Sequence, residues 1–92
     1  MYEIETTPNF ERNIERCAKR GMNLELLFDA VDILSKKGIL PAKYKQHKLK
    51  GKYKGLYECH IQEDWLLVWK KEKNRMVLIM TNTGTHSELF KK

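Results

Sequence analysis

Apolar and polar positions along the chain change rhythm twice, dividing it into a strand, a pair of helices and a run of strands. Tyr2–Thr6 alternates, a period of two that predicts a short first strand. Thr7-Pro8 then offers a helix start: a hydroxyl to accept from a free amide, followed by a proline whose missing N–H costs nothing at that position. Phe10, Ile14, Cys17 and Ala18 recur at helical spacing until Gly21 ends the element. A second helix is expected from about Asn23, with Leu24, Leu27, Phe28, Val31 and Leu34 as its apolar stripe, stopping at Gly38 ahead of Pro41. So short a connection makes the two helices an antiparallel hairpin.

A loop follows in which Gly51 and Gly55 mark turns. Strands are then expected at about Leu56–Ile61, Trp65–Lys70 and Arg75–Asn82, with Gln62–Asp64 and Lys71–Asn74 as the turns between them. Connections this short imply an antiparallel meander. Trp65–Trp69 and Met76–Met80 are apolar at every position, so both faces of those strands should be covered. The helical hairpin covers one face. His86–Phe90 is expected to form a short helical turn over an edge or over the other face. The predicted fold class is α+β: β-α-α-β-β-β with a short C-terminal helix and an antiparallel sheet packed by the hairpin, one domain over residues 1–92.

Charge sharpens this outline. The segment Ile33–Tyr57 holds eight lysines and no Asp or Glu, whereas the other residues carry ten positive and twelve negative charges. The whole basic excess of the chain therefore lies in that one segment, a localised field suited to a polyanion or, more plainly, a solvated lysine loop. Tyr44, Tyr53 and Tyr57 interleave with the lysines and are candidates to stack on bases, which favours a nucleic acid. The longest apolar runs have five residues, where a membrane helix needs about 20, and Met1–Glu5 does not resemble a secretory signal. A cytoplasmic location is expected, with Cys17 and Cys59 reduced.

Within this frame the three histidines, His47, His60 and His86, carry the chemistry. Histidine exchanges protons near neutral pH, and several beside a lysine cluster suggest acid–base work on a phosphodiester. Alternation puts Leu56, Glu58 and His60 on one side of their strand and Tyr57, Cys59 and Ile61 on the other. Asp64, in the next turn, could orient the imidazole of His60 or titrate beside it; a plain strand-end histidine is the alternative. Thr85 and Glu88 have the spacing of a capping box around His86. No Cys-x-x-Cys or His-x-x-x-His spacing is present, so neither a metal site nor a cofactor is expected. Neither cysteine has a histidine beside it on its own strand face, which argues against thiol catalysis.

Three blocks carry a resemblance: His47-Lys48-Leu49-Lys50-Gly51, Tyr57 through Trp65, and Thr83-Gly84-Thr85-His86-Ser87-Glu88-Leu89-Phe90. In this order, over nearly the whole chain, they resemble the YafQ-like branch of the RelE superfamily of bacterial toxins. The resemblance implies an mRNA interferase that cuts mRNA in the ribosomal A site without a metal and is blocked by a cognate antitoxin. It implies an active site of His47, His60, His86 and Asp64, supported by Trp65 and Phe90. His86 is then the expected acid, His60 with Asp64 the expected base, and His47 an assistant in protonation or binding. RNA is expected at Lys48, Lys50, Lys52 and Lys54, at Asn82, and against Trp65 or Phe90, although both aromatics fit a core equally well. One departure matters, because the branch often carries arginine where this chain has Asn82. Asparagine can hydrogen-bond a phosphate but adds no charge, so Lys54 and Lys50 are the expected substitutes. The implied reaction is attack of a ribose 2′-hydroxyl on its own phosphorus. The rival reading is a non-catalytic basic module of the same fold that binds nucleic acid or protein.

Overall fold

Two helix caps written into the sequence fix where the helical hairpin begins. In a computed structural model that describes residues 1–90, strand β1 (Glu3–Thr6) leads directly into helix α1 (Pro8–Lys19). The Thr7 hydroxyl accepts from the Phe10 amide at 3.0 Å, as expected of an N-cap. Helix α2 (Leu24–Lys37) starts on Asn23, whose side-chain oxygen accepts from the Glu25 amide at 3.1 Å. It ends at Gly38, whose φ of 74° is left-handed and whose missing Cβ leaves room for the Tyr2 ring.

The hairpin buries Phe10 and Cys17 from α1 and Leu27, Ala30 and Leu34 from α2. Phe28 and Ala18, both expected in the apolar stripes, lie exposed. The buried line on α2 runs through Ala30, and Phe28 stands about 100° round the helix from Leu27.

The sheet has five strands in the order β1-β5-β4-β3-β2, where β2 is His47–Lys48, β3 Leu56–Gln62, β4 Trp65–Glu72 and β5 Val77–Gly84. Strands β2 to β5 are antiparallel, as the short connections imply, but β1 pairs parallel with β5. The sheet is thus mixed rather than purely antiparallel: the first and last strands meet only after the whole chain has crossed over the helices. Strand β2 was expected to be loop; two residues there pair with Glu58 and Tyr57. The last strand starts at Val77 and not at Arg75, because Arg75 and Met76 belong to the turn and Met76 has a positive φ of 54°.

One sheet face carries Cys59, Trp65, Leu67, Trp69, Leu78 and Met80 into the core under the helices. On the other face Leu66 and Val68 are also buried. The short helix α3 (His86–Phe90) packs against β5, and its Phe90 ring meets Tyr53 of the lysine loop edge-on at 5.0 Å. Both faces of the central strands are therefore covered, as their unbroken apolar runs require. Among the described residues no helix is long and apolar enough to cross a membrane. Cys17 and Cys59 are both free and buried. Burial first, then the neighbouring Glu58 charge, pushes the Cys59 thiol up to about 12, which leaves no thiolate for nucleophilic work.

Candidate active site

The register of the sheet sets the spacing of the histidines. His47 pairs with Glu58, Glu58 with Val68, and Val68 with Asn82, making one row across the face that the helical hairpin leaves free. The next row runs from His60 through Leu66 to Gly84, two residues before His86. Adjacent strands lie about 4.8 Å apart, so the His60 and Gly84 backbones stand about 10 Å apart. Alternation predicts that His60 and Glu58 share a face, and the register brings Asn82 and the start of α3 to that face as well.

Two consecutive residues of the β3–β4 turn anchor His60 and His86. The His60 ring holds the Glu63 carbonyl through Nδ1 at 3.3 Å. A carbonyl only accepts, so Nδ1 carries the hydrogen and Nε2 of the neutral ring keeps its lone pair. Asp64 Oδ1 accepts from the His86 backbone amide at 3.2 Å. The sequence expectation gave Asp64 to the His60 imidazole. Here its carboxylate instead closes the start of α3, and the turn's own carbonyl orients His60.

His47 is held differently. Its Nδ1 faces the Lys45 carbonyl at 2.9 Å and its Nε2 faces Glu58 Oε1 at 3.0 Å. Both partners are acceptors, so the imidazolium, with two N–H donors, satisfies both contacts, whereas a neutral ring leaves one lone pair facing an acceptor. With an acceptor against each nitrogen, this ring presents no free nitrogen to a substrate proton. Glu58 is buried, and its second oxygen has no partner. Sequence analysis named Glu58 only as a neighbour on His60's face. An acid between Tyr57 and Cys59 in mid-strand was the available signal, since a buried carboxylate needs a cationic partner.

Phe90 links His86 to the basic segment. Its ring lies 5.1 Å from that of His86 and 5.0 Å from Tyr53, and the Lys52 ammonium stands 5.3 Å from the centre of the Tyr53 ring. Lys50 and Lys54, expected to replace the missing arginine beside Asn82, line a separate cleft floored by Tyr57, together with Lys48. Trp65 is also corrected. Its ring is 1% exposed and its indole N–H donates to the Thr83 hydroxyl at 2.9 Å, so no face remains for a base. Tyr44 is buried, and one face of Tyr57 stacks on Trp69 with ring centres 5.7 Å apart. Among the described residues, the clefts at His47 and at His60 are separate, and neither is lined by His86. His47 borders a cleft of about 480 Å³ with Ile39, Pro41 and Tyr57, and His60 borders a smaller one of about 140 Å³ with Leu26 and Tyr44. His47 and His60 thus border separate open clefts, and His86 stands on α3 against Phe90. Among the described residues no group of three or more His, Cys, Asp or Glu is placed to hold a metal ion.

A second network fixes the strand that delivers His86. The Thr83 hydroxyl donates to the Leu66 carbonyl at 2.7 Å, and the Thr83 amide donates to the buried Asn13 side chain at 3.1 Å. Thr85 and Glu88 form the expected capping box, Thr85 N–H to Oε1 at 2.9 Å and Glu88 N–H to the Thr85 hydroxyl at 3.2 Å. Arg16 of α1 and Arg20, the residue that caps its C-terminus, hold the other Glu88 oxygen at 3.2 and 2.6 Å. A Cβ at Gly84, whose φ is 152°, would be strained and would stand 2.8 Å from Glu88 and 3.0 Å from Arg16, pressing on that ion pair.

Burial pushes the Glu88 carboxyl up, but the Thr85 amide and the two guanidiniums outweigh it and the net shift is downward. A carboxylate depressed in the folded state contributes stability above its unfolded pKa and loses it as pH falls through the folded value. Acidification below the ordinary carboxylate range is therefore expected to loosen α3. Glu88→Gln should remove that pH dependence and cost about 0.5–1 kcal/mol at neutral pH, read by denaturant midpoints across pH.

Known proteins give this site its relatives. A family model described as the bacterial toxin of type II toxin–antitoxin system, YafQ, matches residues 2–91. The mRNA interferase toxin YafQ of Escherichia coli K12 is 32% identical over 89 residues, covering 96% of this chain and 95% of the relative. A metal-bound toxin from Helicobacter pylori superposes with a TM-score of 0.90 at 40% identity, covering 98% of this chain and 100% of that one. The YafQ chain of the E. coli DinJ–YafQ complex gives a TM-score of 0.88 at 31% identity, covering 98% and 99%. With the match running almost end to end in sequence and in fold, the chain belongs to the YafQ family of bacterial type II toxin–antitoxin toxins.

Proposed function

We propose that this toxin is an endoribonuclease that cleaves mRNA on the ribosome, without a metal ion, by transesterification at a ribose 2′-hydroxyl. The observation that carries the reading is the anchoring of the His60 ring and the His86 backbone on consecutive residues, Glu63 and Asp64. One histidine with a free lone pair and one exposed histidine, both tied to the same turn, suit removal of a proton on one side of a phosphate and its return on the other.

In this reading His60 Nε2 takes the 2′-hydroxyl proton, and the oxygen attacks the adjacent phosphorus. His86 protonates the departing 5′-oxygen. His47, held by Glu58 at the opposite end of the row from Asn82, assists protonation or binding. Asp64 is a positioning residue acting through the His86 backbone, and Phe90 holds the His86 ring. A cognate antitoxin would restrain the activity, as the complex of the E. coli relative with DinJ supports.

Purified toxin with programmed ribosomes should cut the message, while naked mRNA should be cut far more slowly. A chelator selective for transition metals, which spares the magnesium that ribosomes need, should leave the rate unchanged. Equal rates on naked RNA would remove the ribosome from the account. Loss of activity restored by an added transition metal would remove the metal-free mechanism.

A further inference from the structure

A helix of five residues is not stable by itself in water, so the place of His86 depends on where α3 is tied to the rest of the protein. Beyond its packing on β5, three contacts tie it. Asp64 takes the His86 amide, the Phe90 ring meets Tyr53, and the Glu88 carboxylate meets Arg16 and Arg20. The first two reach a turn and a loop. The third reaches a long helix, because Arg16 lies in α1 and Arg20 caps its end.

Asn13, Arg16, Cys17 and Arg20 are spaced i, i+3, i+4 and i+7, one stripe along α1. That stripe holds the chain on both sides of Gly84. Before it, the Asn13 side chain takes the Thr83 amide at 3.1 Å; after it, the two guanidiniums hold Glu88. Cys17, buried, lies between them in the stripe. His86 is thus carried on a short link whose two ends are both fixed by α1. The Thr85–Glu88 box is local to α3, so it sets the shape of the turn and not its location. Location comes from the charge. Both guanidiniums are spent on one Glu88 oxygen, and among the described residues neither pairs with another acid.

We propose that Arg16 and Arg20 are positioning residues for cleavage, acting through Glu88 to hold His86 at its place in the reaction. The inference rests on the reading of His86 as the acid and adds control of that acid from the C-terminal end of α1.

The test is a double-mutant cycle on single-turnover cleavage with programmed ribosomes, followed over ribosome concentration so that maximal rate and half-saturating concentration separate. Glu88→Gln and Arg16→Gln/Arg20→Gln should each lower the maximal rate about two- to fivefold, the population shift that one partly exposed ion-pair network sustains. Combining all three changes should cost no more than either set alone. The two variants move net charge in opposite directions, so a general field effect would drive them apart and not together. Multiplying losses, or arginine losses confined to the half-saturating concentration, would mean that the guanidiniums serve the ribosome directly and would overturn the proposal. So would an unchanged rate per folded molecule, which a merely structural clamp predicts. Amide exchange gives a readout that needs no activity. The His86 and Leu89 amides, bonded to Asp64 and to the Thr85 carbonyl, should exchange about two- to fivefold faster in both variants, and unchanged exchange would overturn the clamp. A wild-type toxin that leaves the message whole would instead sink the nuclease reading, with exchange still deciding whether the arginines place α3.

Discussion

His86→Ala is expected to leave the fold intact and to lower RNA cleavage by about 10²–10⁴-fold, the usual contribution of one positioned acid or base. The side chain is exposed, so its loss opens no cavity, and the tie that starts α3 is a backbone amide to Asp64 that alanine retains. The Phe90 and Tyr53 rings still meet, and Glu88 still caps the helix. Single-turnover cleavage on programmed ribosomes, alongside an unfolding curve, separates the two effects. Wild-type activity in His86→Ala would exclude this ring as the acid. Asp64→Asn refines the test. Asparagine keeps an oxygen for the His86 amide but has no charge, so a purely positional role predicts most of the activity retained.

Trp65→Ala is expected to destabilise the protein by about 3–5 kcal/mol, a large share of the stability of a domain this size. The indole is buried with Leu67 and Trp69 in the core, and its N–H is bonded to Thr83. Thr83 is in turn bonded to the Leu66 carbonyl and the Asn13 side chain, so the truncation disturbs the joint between β4, β5 and α1. Trp65→Phe retains most of the packing but removes the N–H donor, and should cost about 1–2 kcal/mol. Denaturant midpoints measure both. A Trp65→Ala protein as stable as wild type, yet unable to hold RNA, would restore the base-stacking role that burial argues against.

Local chemistry made much of this fold legible in advance. Thr7, Asn23 and Gly38 bound the helices because each cap needs only its own neighbours, and the Thr85–Glu88 box is equally local. Unbroken apolar runs correctly implied that β4 and β5 are covered on both sides. Three features lay beyond local pattern. Parallel pairing of β1 with β5 joins residues more than seventy positions apart. Strand β2 exists only because β3 offers an edge to His47 and Lys48. Asp64 lies equally close in sequence to His60 whichever histidine it serves, and only the return of the chain at α3 puts the His86 amide against it. Aromatics within a lysine-rich stretch looked alike on paper, yet Tyr44 went inside, Tyr57 onto Trp69 and Tyr53 onto Phe90. Glu58 is the instructive case. Alternation already placed it beside His60, but its partner, His47, comes from across the sheet edge.

The chemistry of the cut ends tests the central claim most directly. Transesterification by the histidines leaves a 2′,3′-cyclic phosphate (or its 3′-phosphate hydrolysis product) on one fragment and a 5′-hydroxyl on the other. Mapping both ends of a cleaved message on programmed ribosomes should find that pair. A 5′-phosphate with a free 3′-hydroxyl would mean that water, not the ribose, attacked, and would contradict the account.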